Sequence, residues 1–128
     1  VDSTDPIGPG EVLFQETFYA NARRCLNPGG ILVTQNGVPF MQPDELKNTV
    51  THLKYLFADA SCYLATIPTY VGGPMAMGWA TDNAELRHID LDELDARFKS
   101  AEIKTRYYAP AVHKAAFALP GYVSDIVG

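Results

Sequence analysis

Cysteine is scarce in this sequence: Cys25 and Cys62 are the only two, with no CxxC pair and no histidine nearby at ligand spacing. That leaves no metal or dithiol motif. Both thiols stand among apolar neighbours, which predicts buried free cysteines in a reducing compartment and hence a cytoplasmic location. Long hydrophobic runs are missing as well. No apolar stretch approaches bilayer-spanning length, and no basic-then-apolar leader precedes the first motif, so no membrane partner is expected. Lysine and arginine form no run, and a net charge of −5 with a pI of about 5.0 leaves no basic patch for nucleic acid. A mild acidic excess suits a cationic ligand, although most such charges simply face water. His52, His88 and His113 lie far apart with no pairing pattern and read as surface or packing residues, and Asp90, Asp92 and Glu93 read as capping residues, so no metal site is expected.

What is present fits one globular domain at most: 128 residues, 47% hydrophobic and 20% charged. There is no internal repeat and no low-complexity stretch. Glu11 to Leu26 reads as a helix, with Phe14, Phe18, Ala22 and Cys25 at helical spacing and acidic-to-basic polarity along it. Asn27-Pro28-Gly29-Gly30 ends it. Ile31 to Gln35 is a short β-branched run that reads as a strand buried on both faces. Pro43 opens a second helix whose stripe is Leu46, Val50, Leu53 and Phe57.

Cys62 to Ile67 and Met75 to Thr81 read as strands joined closely enough to form a hairpin, hence one antiparallel strand. Asp90 caps a third helix, with Glu93 three residues on and Leu91, Leu94 and Phe98 as its buried stripe. The tail from Tyr107 mixes a short strand with helical turns. Alternating helices and strands with a late hairpin predict an α/β fold, half of a doubly wound sheet that is mostly parallel with one antiparallel strand. Such a half leaves a strand edge uncovered, so partner strands from an upstream segment are expected. The opening on Val1, without a methionine, agrees with that.

The chemistry-bearing motif is Asp2-Ser3-Thr4-Asp5-Pro6-Ile7-Gly8-Pro9. Paired carboxylates on a Pro/Gly-stiffened loop suit holding a small organic dication and removing one of its protons. In isolation the same string reads as Asx-turn chemistry and a helix entry. Gly8-Pro9-Gly10 reads either as a phosphate cradle or as a mobile lid, and the central proline favours the lid. Gln35 at a strand end and Tyr70 after Ile67-Pro68-Thr69 each have plain turn-bonding or packing readings too. Trp79 reads as core.

Taken together with Leu26-Asn27-Pro28-Gly29-Gly30, Ile67-Pro68-Thr69-Tyr70, Gly72-Gly73, Trp79-Ala80-Thr81 and the tail Tyr107-Tyr108 with Ala115-Ala116-Phe117-Ala118-Leu119-Pro120, the opening loop resembles the polyamine aminopropyltransferases, the spermidine synthases most closely. The resemblance runs over all 128 residues. It implies the C-terminal part of a methyltransferase-like Rossmann domain. The glycine-rich loop and acidic residues that hold the aminopropyl donor in that family, decarboxylated S-adenosylmethionine, have no counterpart here.

By this resemblance Asp2 is the proton acceptor, and Asp5 its companion on the diamine. Ser3, Thr4, Gln35 and Tyr70 belong to the amine pocket. Gly8 and Pro9 belong to the loop that closes over the donor and the methylthioadenosine product. It further implies putrescine as acceptor, no cofactor beyond the co-substrate, a missing N-terminal part of the same enzyme and a homo-oligomer, dimer or tetramer. Agmatine or cadaverine as acceptor, a non-catalytic polyamine-binding fragment, and an ordinary methyltransferase half stay open as rivals. The acidic pair argues against the last, since most methyl acceptors need none.

Overall fold

The computed structural model describes residues 1–128. Three strands and five α-helices follow the opening loop: α1 (Glu16–Cys25), β1 (Ile31–Gln35), α2 (Pro43–Leu56), β2 (Asp59–Ala65), β3 (Met75–Thr81), α3 (Leu91–Ser100), α4 (Pro110–Ala116) and α5 (Gly121–Val127). Short 3-10 helices cover Gly8–Phe14 and Ala84–His88.

The sheet order is β1-β3-β2, and both ladders are antiparallel. No parallel ladder forms between the three strands, so the expected mostly parallel sheet is not what these strands build among themselves. The reason is topological. β3 returns from β2 through the Thr66–Pro74 loop and inserts between β2 and β1, which therefore point the same way without touching.

Side-chain alternation sorts the sheet into two faces. Leu32 and Thr34, with Ala76, Gly78 and Ala80 and with Ala60, Cys62 and Leu64, meet α1, α2 and α5. One apolar cluster gathers Tyr19, Leu32, Leu53, Phe57 and Ala80, and another Leu46, Val50, Cys62, Ala76 and Val123. α2 supplies both, which is why its whole predicted stripe is buried. On the opposite face Phe117 at the end of α4 packs edge-on to Trp79 and against Tyr63, each 5.4 Å between ring centroids. That packing makes Trp79 core, as its sequence context suggests. Val33 and Gln35 on this face are only partly covered and Ile31 is exposed, so β1 is buried on one face and not on two.

Other expectations shift for local reasons. The helix read from Glu11 is broken at Gln15, whose extended backbone (φ −88°, ψ 151°) separates the 3-10 segment from α1. Its most deeply buried residue is Tyr19, outside the predicted stripe, and Cys25 is exposed rather than buried. β2 runs from Asp59 to Ala65, earlier than read, because its ladder with β3 extends to the Asp59–Thr81 pair. Asp90 occupies the N-cap of α3 without a side-chain cap bond, and Glu93 pairs with Arg97 instead. Leu91 in that stripe is exposed. The tail holds two helices and no strand.

Candidate functional site

The carboxyl ends of β1 and β2 open into two loops, Asn36 to Gln42 and Thr66 to Pro74, and the Asp2–Pro9 segment runs alongside the first. Ligands of open α/β sheets bind at such strand ends. The Asp2–Pro9 segment is anchored by Val1. Its amino group donates to Val33 O at 2.6 Å and its carbonyl accepts from Gln35 N–H at 3.0 Å, which is the bonding pattern of a parallel bridge on the free edge of β1. Asp2 therefore leaves the sheet directly beside Gln35.

The Asn36 loop is fixed from below by a buried polar chain. Asn36 is fully buried. Its Oδ1 accepts from Thr34 Oγ1 at 2.7 Å and from Gly78 N–H at 3.2 Å, while its Nδ2 donates to Thr49 Oγ1 at 2.7 Å. Thr49 in turn shares a 3.0 Å bond with Tyr19 OH. A side chain at position 78 would intrude: a Cβ there would lie 2.4 Å from Thr34 Oγ1 and 2.8 Å from Asn36 Oδ1. Glycine at 78 is what lets the chain cross the sheet.

Above this chain, Gln42 Nε2 donates to Asp5 Oδ1 at 3.4 Å and to Glu45 Oε2 at 3.3 Å. Burial pushes the Glu45 carboxyl up to about 7, the nearby Asp5 charge pushes the same way, and the polar side chain of Asn36 opposes both. Glu45 also borders an open acidic depression of about 530 Å³ with Glu11, Glu16, Asp44 and His52.

The two strand-end loops touch each other. Gly72 and Gly73 have φ of +104° and +138°, conformations that favour glycine. An added Cβ would lie 3.2 Å from Met41 Cγ at Gly72 and 3.5 Å from Val38 Cγ1 at Gly73. This contact carries Tyr70 to the same end of the sheet as Gln35.

The structure thus gathers the predicted residues at one sheet end without closing a cleft around them. Asp2, Thr4 and Asp5 are exposed, Ser3 and Gln35 half-buried, and Tyr70 is 48% exposed. None of these residues lines the apolar cavity beside Tyr63, Trp79 and Phe117 or the acidic depression beside Glu45. Gly8 (φ +62°) starts the 3-10 turn that Pro9 continues, so the segment expected to act as a lid is here a tight, exposed turn. Sequence reading missed Asn36, Gln42 and Glu45. A faint signal existed for the last two, since Gln42 and Glu45 sit three apart around Pro43 as a capping pair would.

Comparison with known proteins places the chain in a class. Residues 1–93 match the Spermine/spermidine synthase domain, and the chain belongs to that family. Among individual relatives, the polyamine aminopropyltransferase of Ruegeria sp. (strain TM1040) is 64% identical over 126 residues, covering 98% of this chain and 44% of that protein. The polyamine aminopropyltransferase of Salmonella newport (strain SL254) is 56% identical over 124 residues, 97% of this chain and 43% of that protein. A spermidine synthase solved in complex with the transition-state analogue AdoDATO superposes with a TM-score of 0.85 at 27% identity, over 98% of this chain and 42% of that one. The Thermotoga maritima spermidine synthase gives 0.78 at 25% identity, over 91% and 40%. The chain spans less than half the length of these relatives.

Proposed function

We propose that this chain supplies the acceptor side of a spermidine synthase, which transfers the aminopropyl group of decarboxylated S-adenosylmethionine to putrescine and releases spermidine and methylthioadenosine. The observation that carries the proposal is the convergence of Asp2, Asp5, Gln35 and the Tyr70 loop on one sheet end, in a chain of this family. Val1's bridge-type bonds to β1 support a parallel strand beyond that edge, with β3 as the antiparallel insertion of a methyltransferase-like Rossmann sheet. Residues outside this chain would then wall the cleft and hold the donor. A reducing, cytoplasmic setting and assembly into a homo-oligomer belong to the same reading. No helix here is long and apolar enough to cross a membrane.

The chemistry asks for these residue types. An aliphatic amine with a pKa of about 10.4 shows its lone pair at pH 7 in roughly one molecule in two thousand, a cost of about 4.6 kcal/mol. A carboxylate at the reacting ammonium gives that proton an acceptor as the nitrogen attacks, and shielding from water disfavours the charged amine. Asp2 takes the proton, and the freed nitrogen forms a bond to the carbon beside the sulfonium as that carbon's bond to sulfur breaks. Asp5 holds the diamine through charge-assisted bonds, with Ser3 and Thr4 shaping the loop between them. Gln35 and Tyr70 offer neutral polar groups and aromatic surface to the amine and its stem. Gly8 and Pro9 close over the donor and keep water from it. The positive sulfur already activates the leaving group, so the transfer needs no metal or cofactor.

In the full-length protein, Asp2→Asn is expected to lower kcat by roughly 10²- to 10⁴-fold. Retention of most activity removes Asp2 from the role. Putrescine, cadaverine and agmatine assayed side by side identify the acceptor. A protein that binds the diamine by calorimetry but neither binds a donor analogue nor turns over is a binding module instead.

A further inference from the structure

We infer that Gln42 is a positioning residue for the Asp5 carboxylate, its side-chain amide being shared between Asp5 and Glu45 so that both carboxylates stand at the far end of the amine site. The inference rests on the acceptor-side reading above and deepens it.

Stoichiometry carries the first part of the argument. A primary amide has two N–H donors, and Gln42 Nε2 faces two acceptors, Asp5 Oδ1 at 3.4 Å and Glu45 Oε2 at 3.3 Å. Without that bridge two neighbouring carboxylates repel, and Asp5, on an exposed loop, has no other side-chain donor. The bonds are long, as such bonds often are before a ligand tightens them.

The second part is the cradle beneath the amide. Gly37 (φ +61°) lies against it: a Cβ there would sit 2.4 Å from Gln42 Oε1 and 2.9 Å from its Cδ. The Gln42 backbone is held independently, its N–H donating to Val38 O at 2.9 Å. The loop therefore tolerates a change in the amide alone. Gly37 follows Asn36, so the buried chain that fixes the end of β1 also fixes the cradle, and the amide is aimed by tertiary contacts rather than by its own rotamer freedom. The ligand class is a protonated aliphatic amine, whose cationic end meets Asp5 with Glu45 behind it.

The test is calorimetry of putrescine binding to the full-length protein, with Asp5→Asn, Gln42→Met, the double variant and Gly37→Ala. Methionine keeps the length of glutamine and fills the same cradle without donors. Gln42→Met is expected to weaken putrescine about tenfold, the order for one charge-assisted bond, and to leave binding of a donor analogue unchanged. In the Asp5→Asn background the same change should have little further effect, and Gly37→Ala should resemble Gln42→Met. Putrescine binding that needs Asp5 but ignores Gln42, or a Gln42→Met loss of equal size in both backgrounds, overturns the positioning role and leaves the acceptor-side reading standing. Binding indifferent to both Asp5 and Gln42 overturns the two together.

Discussion

Replacing Asn36 with alanine tests whether the strand end beneath the site is held by its buried polar chain. The substitution removes three hydrogen bonds, at 2.7, 2.7 and 3.2 Å, from a fully buried position. Thr49 keeps Tyr19 as a partner, but the Thr34 hydroxyl and the Gly78 N–H both lose their shared acceptor. A buried polar group left unpaired costs about 1–3 kcal/mol, so two of them place the expected loss near 3 kcal/mol, or a fall in Tm of roughly 10 °C for a domain of this size. The assay is thermal unfolding followed by circular dichroism for Asn36→Ala, Thr34→Val and the pair. Because the residues share one chain, the double variant should lose clearly less than the sum of the singles. A loss under about 1 kcal/mol, or strict additivity, refutes the argument. The same variant should also weaken amine binding, since Asn36 lies between Gln35 and Gly37.

Three further outcomes are expected. Glu45 titrates near 7, above the unfolded value of about 4.3, so its ionisation opposes folding as pH rises through that window. Glu45→Gln should therefore raise Tm at pH 8 and leave it nearly unchanged at pH 4, and equal shifts at both would contradict the burial and Asp5 repulsion assigned to it. Asp59 is held below the usual carboxylate range, first by its Arg87 hydrogen bonds, so its contribution is complete above about pH 4 and fades as pH falls through the folded value. Asp59→Asn should cost about 2 kcal/mol at pH 7 and much less at pH 2, as read from urea midpoints at each pH. Finally, Cys62 is fully buried with its thiol pushed up to about 11 by desolvation, whereas Cys25 is exposed. Mass spectrometry after brief alkylation at pH 7.5 should find Cys25 modified and Cys62 untouched, and early labelling of Cys62 would show that the sheet opens there.

The chain's local order was legible where the signal is local. The stripe of α2, the strand Ile31–Gln35 and the strand Met75–Thr81 follow from side-chain periodicity and from Pro and Gly punctuation, which act within a few residues. The acidic loop was legible because an acidic pair braced by Pro and Gly is a distinctive string. The sequence by itself thus determined α2, β1 and β3 and which residues are chemically suited to a diamine.

Only the tertiary structure decided how they meet. The insertion of β3 between β1 and β2 depends on pairing across the Thr66–Pro74 loop and on contacts distant in sequence, which no window reveals. Tyr19, Asn36, Thr49 and Gly78 look unrelated along the chain and become one buried chain because α1, β1, α2 and β3 converge on it. Gln42 likewise has no evident role along the chain until Gly37 and Asp5 are seen on either side of it. Hydrogen bonding at such positions is set by burial, and burial is a property of the packed molecule rather than of any one segment.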